Sequence, residues 1–227
     1  GKIKKGKILI SFEAIGPVYG EIYAKYEHVE LKHEFEIIYD DDSFTALYAL
    51  INKTAPNGIL NLEHDYKYYY YDADYIEGIP IDKAITINGK GFNVNGTGES
   101  CVFFVSADNV CLRNINIYDS LDAIEWLGDN GLINNISVNN SNSSLNAFGS
   151  NLVIRNSNFT HASRYSLYLE GSNNVVDNCR FVDNSGPSII GLSMNNLTIE
   201  NSTFKNINSP ISGIVEIINC KDVNISG

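Results

Sequence analysis

The sequence is poor in positive charge, and this shortage excludes a first class of function. Its 227 residues include 16 Lys and Arg against 27 Asp and Glu, which gives a formal net charge of −11 at pH 7. Binding to the phosphate backbone of a nucleic acid depends on a basic surface. We therefore expect no nucleic-acid partner, and we interpret the acidic surface mainly as a source of solubility.

The sequence also lacks a long apolar segment. A membrane-spanning helix requires about 18 or more apolar residues in a row, so we expect no membrane span in this chain. No positively charged segment followed by an apolar one opens the sequence, as it would in a secretory signal. If the protein is secreted, we therefore expect this chain to be a mature or excised piece.

What the sequence does contain is an internal repeat of 21 to 23 residues. Residues 151–159 read Asn-Leu-Val-Ile-Arg-Asn-Ser-Asn-Phe, and related segments begin at Asn109, Asn130, Asn173 and Asn196. A repeat of this length with strand-like alternation inside it is typical of a solenoid. The central asparagines of the units are Asn114, Asn135, Asn156, Asn178 and Asn201.

The pattern around each central asparagine predicts two short strands that flank a bend. An apolar residue lies two positions before it and another three positions after it, as Ile154 and Phe159 do around Asn156. Strand side chains alternate between faces, so both residues reach one core only if the chain bends at the asparagine. Asparagine tolerates the left-handed backbone conformation that this bend needs. The repeat therefore predicts an all-β parallel β-helix in which the central asparagines form an inward-facing ladder of amide hydrogen bonds.

A leucine-rich repeat is the competing solenoid, but its unit is dominated by leucine and contains a helix. Asn, Ser, Val, Ile and Phe dominate here instead. Four cysteines do not indicate disulfides either, because Cys179 takes a core position, Cys111 an outward one, and neither has a cysteine one coil away. We expect free thiols that pack mostly as small hydrophobic side chains.

The N-terminal part of the chain does not fit the repeat. We divide the chain into an N-terminal β segment, residues 1–43, and a β-helix with its capping helix, residues 44–227. Strict alternation of apolar and polar residues over 28–39 predicts one long strand, which pairs in a small sheet, runs along the coil or pairs with another molecule.

Residues 44–53 predict an amphipathic helix with Asp42 or Ser43 as its N-cap. A solenoid must cover its first coil, because apolar core and open strand edges would otherwise meet water. We interpret this helix as that lid. Its predicted apolar stripe is formed by Phe44, Leu47, Leu50 and Ile51.

Six tyrosines lie within residues 66–75. The strand period of two places Tyr66, Tyr68 and Tyr70 on one face. If that face is exposed, the tyrosines are candidates for binding glycans or protein partners. The alternative is a tyrosine-rich strand that fills an irregular first coil.

The segment at residues 85–96, which begins Ile-Thr-Ile-Asn-Gly-Lys-Gly, is the most specific motif. Together with the capping helix, the Gly-Ile-Leu-Asn-Leu strand at 58–62 and the tyrosine-rich turn, it resembles the adhesin-like surface proteins of methanogenic archaea, in the broad pectin-lyase-like group. The resemblance covers residues 44–227. It implies a right-handed β-helix, secretion and a role at the cell surface, and it leaves residues 1–39 unexplained.

We therefore expect a non-enzymatic extracellular module for adhesion or surface architecture, without a cofactor or metal, whose partners are cell-surface glycans or proteins. The last coil has no capping helix. Either the chain is cut from a longer protein, or a second copy covers this end and the module assembles end to end into a surface filament. The strand at 28–39 is the candidate for β-strand addition in that assembly. Its apolar donor residues are Val29, Leu31, Phe35 and Ile37.

The alternative is a polysaccharide lyase or glycoside hydrolase that acts on acidic glycans. Hydrolysis needs two carboxylates that flank the scissile bond, and Asp119, Asp122 and Glu125 cluster after one coil. His161 and Arg164 occupy the corresponding loop one or two coils later. The Gly-His-Gly motif of pectin-degrading hydrolases is absent, so we assign no catalytic residue.

Asn-x-Ser/Thr sequons at Asn139, Asn142 and Asn158 fall on or near outward turns. We predict them as glycosylation sites if the host modifies such sequons. The sequons at Asn135 and Asn201 fall on ladder positions, which we expect to face inward and to be unavailable.

Overall fold

The computed structural model describes residues 19–26, 29–36, 40–209 and 213–227. Its contacts divide the chain into a unit that ends at Asp41 and a unit that begins at Asp42. In the first unit, strands β1 (Tyr19–Tyr26) and β2 (Val29–Glu36) form an antiparallel pair in which Tyr26 lies opposite Val29.

The second unit consists of one helix, α1, a 3₁₀-helix and a series of short strands. Helix α1 spans Phe44–Lys53, and the 3₁₀-helix spans Ala73–Tyr75. The strands are β3 (Ile59–Asn61), β4 (Tyr66–Lys67), β5 (Ile79–Ile81), β6 (Thr86–Asn88), β7 (Asn93–Asn95), β8 (Phe103–Val105), β9 (Cys111–Arg113), β10 (Asn116–Asp122), β11 (Ile124–Trp126), β12 (Leu132–Asn134), β13 (Ser137–Ala147), β14 (Val153–Arg155), β15 (Asn158–Leu169), β16 (Ser172–Asp177), β17 (Arg180–Val182), β18 (Ile189–Leu192), β19 (Asn195–Glu200), β20 (Thr203–Lys205), β21 (Val215–Ile218) and β22 (Lys221–Ser226).

These strands stack as parallel coils with three faces. Sheet 1 has eight strands in the order β22-β19-β16-β14-β12-β9-β6-β3. Sheet 2 follows the path β20-β17-β15-β13-β10-β7-β4, and sheet 3 contains β5, β8, β11, the C-terminal parts of β13 and β15, β18 and β21. The predicted parallel β-helix is confirmed, including its short N-terminal helix.

The repeat predicts the stacking because equivalent residues of successive coils pair directly. Ile133 of β12 pairs with Leu112 of β9 on one side and with Ile154 of β14 on the other. All three side chains are fully buried. On sheet 2 the rings of Phe159, Phe181 and Phe204 stack at centroid distances of 5.3 and 5.0 Å. Apolar residues at fixed repeat positions therefore form continuous columns inside the coil.

The chain turns at residues in the left-handed conformation. The five central asparagines have φ between 50° and 56°, as their role at a bend predicts. We call this edge, between sheets 1 and 2, the first asparagine corner. A second asparagine corner precedes sheet 1, with φ between 57° and 60°; its residues are Asn109, Asn130, Asn151, Asn173 and Asn196.

Helix α1 covers the first coil as predicted and packs against β4 and β5. Ser43 is its N-cap, with the Oγ accepting a hydrogen bond from the Ala46 amide at 3.1 Å. Leu50 departs from the predicted stripe, since its side chain is exposed. The buried stripe residues are Phe44, Leu47 and Ile51.

A buried carboxylate that the sequence analysis did not single out fixes this lid. Asp72, which has no exposed surface, accepts hydrogen bonds from the amides of Phe44 and Thr45 at 3.2 and 3.0 Å. It also accepts the Thr45 hydroxyl at 2.6 Å and the Tyr69 amide at 3.0 Å. A negative charge is favourable at the helix N-terminus, so Asp72 joins the start of α1 to the tyrosine-rich turn.

All four cysteines are free thiols, as predicted, and Cys179 is buried in the core. Within the described part of the chain, no helix is long and apolar enough to cross a membrane.

Candidate functional site

The predicted asparagine ladder forms in part. Asn135 Nδ2 donates to Asn114 Oδ1, and Asn178 Nδ2 donates to Asn156 Oδ1, both at 2.8 Å. Asn156 and Asn201 instead donate to the residue that precedes the neighbouring corner, Asn134 Oδ1 at 2.8 Å and Asp177 Oδ1 at 2.9 Å respectively. The corner is therefore held by amide hydrogen bonds at each of these steps, but along a path that shifts by one residue.

The inward direction that we predicted for this ladder is wrong. Asn135, Asn156, Asn178 and Asn201 are exposed. A residue in the left-handed conformation breaks the alternation of a strand, and here its side chain lies on the outside of the corner. The sequons at Asn135 and Asn201 are consequently exposed, although each Nδ2 donates a ladder hydrogen bond.

The asparagines inside the coil are two others. Asn174 has no exposed surface; its Oδ1 accepts the Leu152 amide at 2.9 Å, and its Nδ2 donates to the carbonyls of Gly149 and Glu170. Asn184 is buried in the same way, between the Ala162 amide and the Phe159 carbonyl. Both side chains replace backbone hydrogen bonds inside the coil.

The three predicted glycosylation sites are exposed. Asn139 Oδ1 accepts hydrogen bonds from Thr160 Oγ1 at 3.2 Å and interacts with His161 Nδ1 at 3.0 Å. Asn142 Oδ1 accepts from Ser163 Oγ at 3.0 Å. Asn158 lies at the start of β15. Their modification stays a prediction.

The tyrosine platform needs a correction. Tyr66 and Tyr68 share a face, but that face is the core, and their side chains are only 2% and 7% exposed. Tyr68 packs edge to face on Phe44 of the lid. Tyr70, at 68% exposure, is the member of the predicted set that a ligand can reach.

The predicted strand donor lies in β2, which pairs with β1 of the same chain. Val29, Leu31 and Phe35 fall within β2, whereas Ile37 lies outside the described residues. Strand β1 has no counterpart in our sequence analysis.

The structure separates the residues of the predicted catalytic cluster. Asp119 and His161 lie at a third corner, where both have positive φ, and Asp119 Oδ1 accepts a hydrogen bond from Asn140 at 2.6 Å. Asp122 and Glu125 lie further along the chain, and burial, with the charge of Asp122, raises the pKa of Glu125. The structure therefore groups Asp122 with Glu125 on sheet 3 and leaves Asp119 at a structural position.

The outer side of sheet 3 brings together a set of polar and aromatic side chains by strand register. One row pairs Asp122 with Ser143 and Ser143 with Tyr165. A second row pairs Glu125 with Asn146 and Asn146 with Tyr168. Adjacent members of a row lie about 4.8 Å apart. We call this surface the aromatic–acidic face; it comprises Asp122, Glu125, Ser143, Asn146, Phe148, Tyr165, Tyr168 and Glu170.

The middle strand of this face contains polar atoms without partners. Ser143 is fully buried and Asn146 is 8% exposed, because longer side chains on the neighbouring strands flank them. Neither Ser143 Oγ nor Asn146 Oδ1 has a hydrogen-bond partner in the structure. Buried polar atoms are nearly always hydrogen-bonded. Other described residues also have such an unpartnered atom, among them Ser120, Ser166 and Ser188, but the two on β13 lie on an outer face, where a ligand is a candidate partner.

Aromatic rings line one side of this strand. Tyr168 lies 6.0 Å from the ring of Phe148 and 5.8 Å from the ring of Tyr165, measured between centroids. The Arg164 guanidinium lies 5.0 Å from the centroid of Tyr165. Phe148 is 41% exposed, although it is a large apolar side chain. Rings held in contact at a partly open surface are typical of a binding platform.

Burial and neighbouring carboxylates raise the pKa of several side chains on and beside the face. Burial, together with the charges of Asp122 and Glu77, raises the pKa of Glu125. The Tyr168 hydroxyl donates to Glu170 Oε1 at 2.7 Å, and this hydrogen bond, with burial, raises the pKa of Tyr168 to about 12. Burial likewise raises the pKa of the neighbouring Cys101 thiol, with the charges of Glu77 and Glu125 contributing. Several carboxylates are therefore concentrated on one side of the face.

No three His, Cys, Asp or Glu side chains of the described residues lie close enough together to bind a metal ion. Five residues of the face were not predicted from the sequence: Ser143, Asn146, Phe148, Tyr165 and Tyr168. These residues follow the third corner, beyond the repeat units that we aligned, and chain length varies there between coils. Glu125, Asn146 and Tyr168 are nevertheless separated by 21 and 22 residues. Extending the repeat interval past the aligned units would therefore have related these three residues.

Comparisons with known proteins place the chain in context. The family described as right handed beta helix region matches residues 77–227. No curated protein matches the chain. Among solved structures, the chain is similar to the crystal structure of a "putative glycosyl hydrolase" from Parabacteroides merdae ATCC 43184, with 8% identity, a TM-score of 0.29, and coverage of 81% of this chain and 92% of that one. A similarity this low carries no argument about function.

Proposed function

This chain belongs to the right-handed β-helix family, and we propose that it is a non-enzymatic extracellular module that binds cell-surface glycans through the aromatic–acidic face. The family includes proteins that differ in function, because a fold does not by itself determine an activity. The proposal therefore depends on the chemistry of this face.

The observation that carries it is the combination of unpaired Ser143 and Asn146 with contacting rings beside them. A sugar presents hydroxyl groups around its rim and C–H groups on its faces. A sugar hydroxyl would hydrogen-bond to Asn146, the one of the two side chains that reaches the surface, and the C–H faces would pack on Phe148 and Tyr168. Small-molecule sites have this composition, with apolar contacts and a few polar groups that fix orientation.

Titration of the protein with a panel of neutral, amino and uronic-acid oligosaccharides tests this proposal. We expect saturable binding that Tyr168→Ala weakens by about tenfold or more, the loss expected when one well-packed ring is removed from a site. Tyr118→Ala is the matched control, because Tyr118 is partly exposed on β10 in sheet 2, outside the face. Absence of binding to every glycan by a folded sample, or equal losses in the two variants, would contradict the proposal.

A second candidate, a carbohydrate-active enzyme, is favoured by one observation. Glu125 has a raised pKa and lies beside Asp122, and glycosidases use one protonated and one ionised carboxyl group. Incubation of the same panel with wild-type protein and with Glu125→Gln distinguishes the candidates. Product formed by the wild type and abolished in the variant would replace the binding module with an enzyme, whereas binding without product supports the module.

End-to-end assembly by the strand at 28–39, and origin from a methanogen surface protein, stay predictions. Electron microscopy of the protein with and without residues 1–39 tests the first. We expect filaments or ordered oligomers in the full chain alone. Identical assemblies in both forms would remove the role of this strand.

A further inference from the structure

We infer that the preferred glycan of the aromatic–acidic face is a cationic amino sugar rather than an acidic one. This inference rests on the proposed glycan-binding function and names its ligand class. It reverses the acidic-glycan substrate that we considered for an enzyme.

The first step is the charge of the face. Asp122 and Glu125 lie on one side of the Ser143–Asn146 strand, with Glu77 close enough to affect Glu125. On the other side Glu170 accepts the Tyr168 hydroxyl. A carboxylated sugar at the middle strand would lie between these negative charges and would be repelled, and like charges brought together cost binding free energy.

The second step is the kind of hydrogen bond that is missing. The Asn146 residue is more than nine-tenths buried, and its Oδ1, an acceptor, has no hydrogen-bond partner in the structure. Its neighbour across the register is the carboxylate of Glu125, which when ionised only accepts. Two adjacent acceptors need a ligand group with several donors, and an ammonium group supplies three.

The third step is the aromatic wall. Phe148 and Tyr168 contact each other beside Asn146, and their π faces attract cations. The structure already contains one such contact, with Arg164 against Tyr165. Carboxylates together with ring faces therefore recognise an ammonium group more specifically than a hydroxyl group.

Calorimetric titration with oligomers of matched length tests the inference. The pair that isolates the amine is a β-1,4-linked glucosamine oligomer and a β-1,4-linked glucose oligomer, measured at a pH at which the amines are protonated. Oligogalacturonate supplies the acidic sugar, and oligolysine supplies a cation without a sugar. We expect the glucosamine oligomer to bind about tenfold more tightly than the glucose oligomer, a difference of about 1.4 kcal/mol, and oligogalacturonate to bind most weakly.

Two variants that each remove one negative charge test whether these carboxylates cause the preference for the glucosamine oligomer. Glu125→Gln and Asp122→Asn should bring the two β-1,4 oligomers to within about threefold of each other, while binding of the glucose oligomer remains. Glu200→Gln is the matched control, since Glu200 pairs in sheet 1 rather than sheet 3.

The outcomes separate this inference from the proposed function. Binding of the glucose oligomer or oligogalacturonate as tight as that of the glucosamine oligomer would overturn the amino-sugar inference and leave glycan binding intact. Oligolysine that competes as strongly as the glucosamine oligomer would overturn it in favour of a basic protein partner. No binding of any sugar would refute the proposed function itself.

Discussion

The asparagine corners and the aromatic–acidic face are built from the same stacked coils, yet they differ in whether their polar side chains are hydrogen-bonded. At the corners, amides hydrogen-bond from coil to coil, as Asn151 does with Asn130 and Asn173. On the face, Ser143 Oγ and Asn146 Oδ1 are buried without partners. Regular spacing of the coils therefore does not ensure that every polar side chain finds a hydrogen-bond partner.

This difference separates polar residues that stabilise the coil from polar residues that are available to a ligand. A corner amide donates and accepts within a row of identical side chains, which fixes register at a modest gain per bond. A buried polar atom without a partner costs free energy, and on this face a glycan would offset that cost.

The largest effect is expected inside the coil. Asn174→Ala leaves the Leu152 amide and the carbonyls of Gly149 and Glu170 without their partner, and we expect a loss of about 3 kcal/mol in the free energy of unfolding. Asn173→Gly removes an exposed corner amide and keeps the left-handed backbone, so it should cost under about 1 kcal/mol. Denaturant unfolding of the two variants measures both, and equal losses would show that corner and interior amides contribute alike.

Asp72→Ala tests the attachment of the lid, helix α1, because the Asp72 carboxylate accepts hydrogen bonds from the first residues of that helix. The substitution removes the acceptor of the Phe44, Thr45 and Tyr69 amides, and we expect a loss of about 2–3 kcal/mol, since hydrogen bonds to a charged group are the strong ones. Hydrogen exchange should show the loss first in α1. Unchanged protection of that helix would contradict the role of Asp72.

Two buried serines, one hydrogen-bonded and one without a partner, should differ in how much their replacement by alanine lowers the free energy of unfolding. Ser157 Oγ accepts the Ile136 amide at 3.2 Å and donates to the Arg155 carbonyl at 2.8 Å, so Ser157→Ala should cost about 1–2 kcal/mol. Ser143→Ala removes a hydroxyl that has no partner, and it should leave the free energy of unfolding within about 0.5 kcal/mol or raise it. Thermal unfolding decides this pair, and a large loss in Ser143→Ala would mean that its hydroxyl is satisfied in the protein.

The smallest effect concerns pH. Burial and the neighbouring charges raise the pKa of Glu125 in the folded protein above its ordinary value, so the folded state binds this proton more tightly than the unfolded state. Its stabilising contribution is therefore present at low pH and is lost as the pH rises through the folded pKa. Glu125→Gln should raise the melting temperature relative to wild type above that pKa and not below it, whereas a difference that is constant with pH would contradict the shift.

The sequence predicted the coil well because stacking repeats one local pattern. Apolar residues at fixed offsets identified the core columns, and Asn156 could be placed at a bend since few residues tolerate positive φ. Period alone could not say which side of a strand faces inward. Tyr66 and Tyr68 were placed on one face correctly, but the choice between core and solvent depends on packing under helix α1.

The candidate face was harder to predict for a different physical reason. Asp122 and Glu125 were found as a carboxylate pair, but their partners Asn146 and Tyr168 come from other coils and meet only through register. A register shift between Ser141 and Ser143 in β13 alters that alignment. Local pattern cannot fix such a shift, so the site emerges only from the stacked strands.

Glycan binding at the aromatic–acidic face should be visible at the Asn146 side chain. NMR titration with the glucosamine oligomer, observing the side-chain amides of Asn146 and of Asn135 at the corner, measures this. We predict that the Asn146 resonances shift in proportion to ligand occupancy while those of Asn135 stay in place. Shifts confined to the corner, or none at Asn146 while the ligand is bound, would contradict the account.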